Sequence, residues 1–341
     1  MCDNEVKKNT YFISWLRAFA MLCIILCHLT QHAPHAIVRD TAMFFNIGVE
    51  LFFIISGFCF GLQQKINSPA KWYARRAKRI LVPYELFLGV LALIYLAKGM
   101  SFNAQNWLSC IFCYQGAKVG VLGAEQTWFM TTMMLCYLIT PLFSAFWSRL
   151  GSVKAVRIVT LILCIFILPL SLFLFKSDSY FTIGHQIGFY LMAYIIGRDY
   201  RRINLSKKQI PVFISMIIVG AALRIAGKIY LDNTVVYNRL IVGYTHKLIA
   251  FGIFFLSAIV FANIKPIKLV NGICSISFEV YLCHYMFVLG PLPLMFLTNS
   301  WVLNSIIIIA VSFAFATVLH LINTLIQKKL LKSDFKPKTT A

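Results

Sequence analysis

The stretch Tyr11–Gln31, YFISWLRAFAMLCIILCHLTQ, decides the fold: it is long and apolar enough to cross a bilayer, yet it carries Arg17 and His28. A hydrocarbon core of about 30 Å requires roughly 20 apolar residues in a helix. At the centre of such a span an ionisable side chain costs on the order of 3 kcal/mol, so it faces a protein interior or a wet cavity. The eleven-residue spacing from Arg17 to His28 is close to three helical turns, which puts both on one stripe about 16 Å apart. They share a face and cannot touch. Two readings fit: a polar path through a helical bundle, or an arginine that reaches the headgroups while the histidine is a core residue.

The rest of the chain repeats the pattern. It has 341 residues, 60% of them hydrophobic. Apolar runs place ten spans at roughly 11–31, 43–63, 80–97, 127–147, 155–175, 180–197, 211–230, 242–262, 273–298 and 301–326. This predicts an all-α fold, a polytopic transmembrane helical bundle. The polar interruptions are too short for an independent core, so residues 1–341 read as one integral-membrane domain with a basic tail at 327–341. The apolar run behind MCDNEVKKNT is too long for a signal peptide and lacks a small-residue cleavage site, which makes it an uncleaved first span.

The net charge of +21 would suit a nucleic-acid partner, but its placement argues otherwise. With a cytoplasmic amino terminus, the inner segments gather Lys71, Arg75, Arg76, Lys78 and Arg79, then Arg149, Lys154 and Arg157, then Arg198, Arg201, Arg202, Lys207 and Lys208, and the lysines after Gln327. The outer segments hold Arg39, Lys98, Lys118, Lys176, Lys228 and Arg239. Such asymmetry is the mark of membrane topology and puts both termini in the cytoplasm. It accounts for the charge with a bilayer and no nucleic acid. The ten cysteines have no paired spacing and read as small buried hydrophobes. His28, His32 and His35 suggest a metal, but Pro34 breaks their helical register and no acid or cysteine completes a ligand set, so no metal site is expected.

Within the second span, FFNIGVELFFIISGFCFG, Glu50 lies at a depth comparable to that of His28. A carboxylate there could set the imidazole's tautomer and prepare a general base. The competing reading is a structural carboxylate satisfied by Arg224 or Lys228. The outer halves of several spans together supply His28, Glu50, Arg224, His246 and Lys247. Arg75, Arg76, Lys78 and Arg79 form a basic cluster at the inner mouth of the third span; it suits phosphate, and membrane anchoring explains it equally. Glu85 and Glu279 read as helix-packing partners, and His320 as near enough to the inner surface to reach water.

An ordered set of motifs adds a resemblance. R-x10-H (Arg17, His28), GVELFFIISGF (Glu50, Ser56, Gly57, Phe58), RRAKRILVPY (Arg75 to Tyr84), TWFMTTMMLCYLITPL (Trp128, Tyr137, Pro141) and ISFEVYLCHYMF (Tyr281, His284) together resemble the acyltransferase-3 family of integral-membrane O-acyltransferases, from Tyr11 to Phe287. The resemblance implies a multi-pass enzyme of the bacterial cytoplasmic (inner) membrane with no bound cofactor. Such an enzyme takes an acyl group, usually acetyl from acetyl-CoA as donor, to a carbohydrate hydroxyl as acceptor. His28 and Arg17 match the family's essential pair, and Glu50 matches its second-span acid. Combined with the polar stripe, this puts the CoA phosphates on Arg75, Arg76 and Arg79, the pantetheine arm past Arg17, and the thioester at His28 as general base. Ser56, Tyr281 or His284 would supply an oxyanion donor, and Trp128 marks the fourth-span motif.

Two departures are visible. Gln126 stands where the family often has a histidine two residues before Trp128, and the esterase-like domain of many members is missing, which fits a transferase that works alone. Two further readings stay open: a transporter or flippase using Arg17, His28 and Glu50 as a proton relay or substrate clamp, and an acyltransferase acting on a small natural product.

Overall fold

The computed structural model describes residues 10–63, 66–115, 120–174, 178–232 and 234–334, without side chains for 168–174, 178–184 and 330–334. The basic residues of the amino terminus and those beyond Asp334 lie outside the described residues, as do Lys65, Lys118 and Lys176. Among the described residues the regular structure is helical. The α-helices are α1 (Phe12–Thr30), α2 (Ala36–Phe45), α3 (Ile47–Leu62), α4 (Pro69–Ala97), α5 (Ala104–Ile111), α6 (Trp128–Leu150), α7 (Lys154–Leu174), α8 (Asp178–Asp199), α9 (Ile210–Leu231), α10 (Val242–Val260), α11 (Lys268–Val288) and α12 (Trp301–Asp334). A π-helical stretch, Val236–Ile241, leads into α10.

Seven stretches among the described residues are long and apolar enough to cross a membrane: Phe12–Thr30, Ala36–Leu62, Pro69–Ala97, Glu125–Leu150, Lys207–Leu231, Val236–Val260 and Trp301–Lys329. The other three expected spans are helical as α7, α8 and α11. Four boundaries differ from the sequence reading, one of them the end of α12, which stays helical to Asp334 rather than stopping at 326. The second span is two helices that meet at Asn46, and α2 starts before the apolar run. Helix α4 starts at Pro69, so the basic cluster expected in a loop is helical. Proline at the first helical position is pre-set for that geometry, and Lys, Arg and Ala propagate a helix without apolar help. Helix α11 stops at Val288, where Gly290, Pro291 and Pro293 end what the hydropathy alone extends to 298.

The chain divides into two compact units. Unit 1 takes Met1–Asn67, Gly116–Lys118 and Trp128–Ser275, and unit 2 takes Ser68–Gln115, Val119–Thr127 and Ile276–Ala341. In unit 1, Phe12 of α1 meets Phe58 of α3 and Phe254 of α10, with ring centroids 5.8 and 5.5 Å apart. These rings are fully buried and anchor the core. Helix α1 turns Leu16, Ala20, Cys23 and Cys27 inward and leaves Phe19, Leu22 and Leu26 exposed on a stripe suited to lipid. Phe58 pairs with Phe12 while Gly48 abuts Ala20, Cys23 and Ile24, so α1 and α3 run antiparallel.

Helices α3 and α8 approach each other backbone to backbone. A Cβ on Gly57 or Gly61 would collide with the carbonyl oxygens of Tyr190 or Tyr194, and one on Gly197 with that of Phe58. Where lipid and side chains are equally apolar, small residues let helices associate by backbone-level packing.

In unit 2, the Tyr84 hydroxyl donates to the carbonyl of Cys110 (3.0 Å), and Lys98 donates to that of Pro291 (2.6 Å). Glu279 of α11 accepts from His320 (2.9 Å) and Asn323 (3.2 Å) of α12. Glu279 is thus a helix-packing group, as the sequence suggests. His320 is not simply turned to water: it is Glu279's partner.

Candidate active site

Glu50 sits on the first turn of α3, buried to 6% exposure. Its Oε1 lies 2.5 Å from Nζ of Lys247 on α10 and accepts from Nε2 of Gln186 on α8 (2.9 Å). Lys247 also lies over the ring of Phe189, 5.6 Å from its centroid. Three helices therefore converge on one carboxylate. The sequence offered Arg224 or Lys228 as its structural partner; the partner is Lys247, and Lys228 instead pairs with Asp232 at 2.8 Å.

Further outward, two consecutive carbonyls of α2 tie α1 to α10. Cys27 Sγ donates to Ala42 O (3.4 Å), and His246 Nε2 donates to Met43 O (3.0 Å). That bond fixes the proton on Nε2 in the neutral ring. His28, next to Cys27, therefore stands at the same end of unit 1 as His246. Its register places it five residues beyond Cys23, whereas Glu50 lies two residues from Gly48 in the opposite direction. At 1.5 Å per residue the two are offset by about 10 Å along the helix axis. The described partners of Glu50 are thus Lys247 and Gln186 rather than the imidazole. Arg17 and His28 are both half-buried on α1, and Arg17 lies within electrostatic range of Cys274, whose Sγ donates to Ser14 O (2.9 Å).

Arg224 of α9 is buried to 6% exposure between Gly220, which abuts Ile249, and Gly227, which abuts Tyr237. Its guanidinium stacks over the ring of Tyr237 at 5.5 Å, and its Nε and Nη1 have no hydrogen-bond partner among the described residues. Arg224 and Lys247 both lie within electrostatic range of His246.

Ser56, on α3, and Trp128, at the start of α6, are half-buried residues of unit 1. The other candidates fall in unit 2. Arg75 and Arg79 are exposed on the early turns of α4, and Arg76 lies 5.7 Å over the ring of Trp72. The Tyr281 hydroxyl donates to the carbonyl of Gln126, and Gln126 Nε2 donates to Leu282 O (2.7 Å). His284, fully buried, directs Nδ1 at carbonyls of its own helix, Val280 (3.2 Å) and Tyr281 (2.8 Å). The Tyr281 proton and the His284 Nδ1 side are thus engaged with backbone, which is what a packing role requires. Among the described residues no cluster of three or more His, Cys, Asp or Glu could hold a metal ion.

A model of the family described as an acyltransferase domain matches residues 10–321. The chain belongs to the acyltransferase-3 family. It is an integral-membrane acyltransferase. No curated protein and no solved structure matches it.

Two features of this acyltransferase were not read from the sequence. Gln186 falls in the sixth expected span, 180–197, and its amide can be matched to Glu50 only once α3 and α8 are known to touch. The second is a cavity of about 620 Å³ at the opposite end of unit 1 from His28. It is lined by Thr10, Tyr200, Arg201, Asn204, Ser206 and Lys207, among others. Its volume is that of a small-molecule site. The signal in the sequence was the run GRDYRRINLSKK, which also serves as an ordinary basic inner loop.

Proposed function

We propose that this acyltransferase moves acetyl from acetyl-CoA to a hydroxyl of a cell-surface or lipid-linked carbohydrate in the bacterial inner membrane, with His28 as general base. The observation that supports this most is α1 itself. It begins at the basic, cavity-bearing end of unit 1, where Thr10 lines the cavity, and carries Arg17 and then His28 toward the far end. An elongated donor with a polyanionic head and a reactive tip matches that order.

In this mechanism the acceptor hydroxyl oxygen attacks the thioester carbonyl carbon as the His28 imidazole takes its proton. The tetrahedral intermediate collapses with cleavage of the C–S bond. The thiolate leaves and takes the proton back from the imidazolium as CoA thiol, and the new ester remains on the sugar. Arg17 serves as a station for the donor's arm. Glu50 acts as a positioning residue, holding Lys247 and Gln186 and through them the packing of α8 and α10 around this end of unit 1. Ser56, six residues beyond Glu50 on α3, falls by the same register about 20 Å from His28 along the helix axis, too far to donate to an oxyanion formed there.

Two basic surfaces compete for the donor phosphates. Arg75, Arg76 and Arg79 offer guanidinium forks, and Arg201 with Lys207 offers charge at the rim of a cavity. The test is acyl transfer from radiolabelled acetyl-CoA to membrane glycans by variants inserted at wild-type abundance. His28→Ala and Arg17→Ala are expected to lose at least 100-fold, and normal transfer by either removes that residue from its role. Arg75→Glu and Arg201→Glu, compared for the KM of acetyl-CoA, tell which surface takes the phosphates: the one whose reversal leaves KM unchanged is an anchoring surface.

A further inference from the structure

The far end of unit 1 buries two cations and one carboxylate. Glu50 answers Lys247 across 2.5 Å, with Gln186 on the same oxygen. Among the described residues Arg224, equally buried, is answered only by the ring face of Tyr237, and two of its guanidinium nitrogens have no hydrogen-bond partner there. A ring face supplies part of the attraction that a counter-ion gives, and a buried charge is retained when something pairs with it. The neighbouring titratable groups do not fill that place. His246 commits Nε2 to the carbonyl of Met43, and Asp232 is occupied by Lys228. The floor beneath the guanidinium is the π-helical stretch Val236–Ile241, an arrangement that recurs at functional sites.

We propose that Arg224 anchors a carboxylate carried by a substrate, and so sets which substrates this site accepts. With the His246 ring counted neutral, the cluster has one unmatched positive charge, which a monoanion balances and a phosphate dianion would overshoot. Arg224 lies at the same end of unit 1 as His28, through the shared ties of Cys27 and His246 to α2. A carboxylate held there belongs to the reacting end of the site. It comes either from the far end of a dicarboxylic acyl group on the donor or from a uronic acid residue of the acceptor. This specificity rests on the acyltransferase reading of His28 given above.

The experiment is isothermal titration of the purified full chain in detergent with four probes: acetyl-CoA, succinyl-CoA, a neutral glucose oligosaccharide and a glucuronate oligosaccharide. In one pair the probe that bears the extra carboxylate is expected to bind at least tenfold more tightly than its counterpart without it. Arg224→Gln is expected to erase that preference without changing the affinity of the counterpart, while Arg224→Lys, which keeps the charge, retains part of it. Preference within the donor pair identifies a charged acyl group, and preference within the sugar pair identifies an acidic acceptor. No preference in either pair, a preference that survives Arg224→Gln, or an equal loss for the probes with and without the extra carboxylate overturns the carboxylate site. Failure of wild type to bind either thioester overturns the donor reading instead and leaves the sugar pair to decide Arg224.

Discussion

Glu50 and Lys247 are each nearly inaccessible to solvent, and their value to the fold is a difference between two large terms. Desolvating both is costly, and their mutual attraction returns that cost only while both are present. Glu50→Gln alone and Lys247→Met alone are therefore each expected to lower stability by about 3 kcal/mol, because each strands a buried charge. The double variant is expected to recover most of that loss, as measured by thermal unfolding in detergent. Recovery of stability without recovery of transfer would mark the pair as part of the working site rather than scaffolding. The sequence made the members of this cluster legible one by one, since a charge within an apolar run stands out. It could not pair them, because Glu50, Gln186 and Lys247 are brought together by cross-helix register, which no single helix encodes. His320 shows the same limit: its position near a helix end suggested water, and packing against α11 gave it Glu279.

At the scale of elements, apolar periodicity located the helices well wherever lipid and core demanded apolar residues. The expected 11–31 became Phe12–Thr30. It failed where a helix continues beyond the apolar zone, as in the basic early turns of α4, or where backbone geometry interrupts it, as at Asn46 and after Val288. The contact between α3 and α8 gives a prediction suited to this scale. Gly61→Val places a branched side chain where the carbonyl of Tyr194 and the backbone of Gly197 already sit, and is expected to abolish recovery of monodisperse protein. Gly89→Ala, on α4 with open space around its Cβ position, is expected to be neutral or stabilising by about 0.5 kcal/mol through reduced chain entropy. Size-exclusion profiles and melting curves of the two variants check both.

For the whole molecule, the placement of the basic residues predicts an orientation that labelling can test. Ile37, at the start of α2, is 83% exposed and belongs to an expected outer segment, whereas Asn204 is exposed in an expected inner one. In a cysteine-free background, Ile37→Cys is expected to react with a membrane-impermeant maleimide in intact cells, and Asn204→Cys only after permeabilisation. The reverse pattern would invert the donor and acceptor ends of the mechanism. The split into two units was hidden from a reading that found no soluble domain, because both units share one apolar composition and differ only in which helices pack together. The glycine contact of α3 with α8 also bears on how this acyltransferase can diverge over time. Even one added methyl at Gly57, Gly61 or Gly197 meets a main-chain atom that no rotamer change can move. Descendants that keep these helices at their present distance must inherit all three glycines, and lineages that lose one must shift a whole helix, taking Glu50 or Gln186 with it.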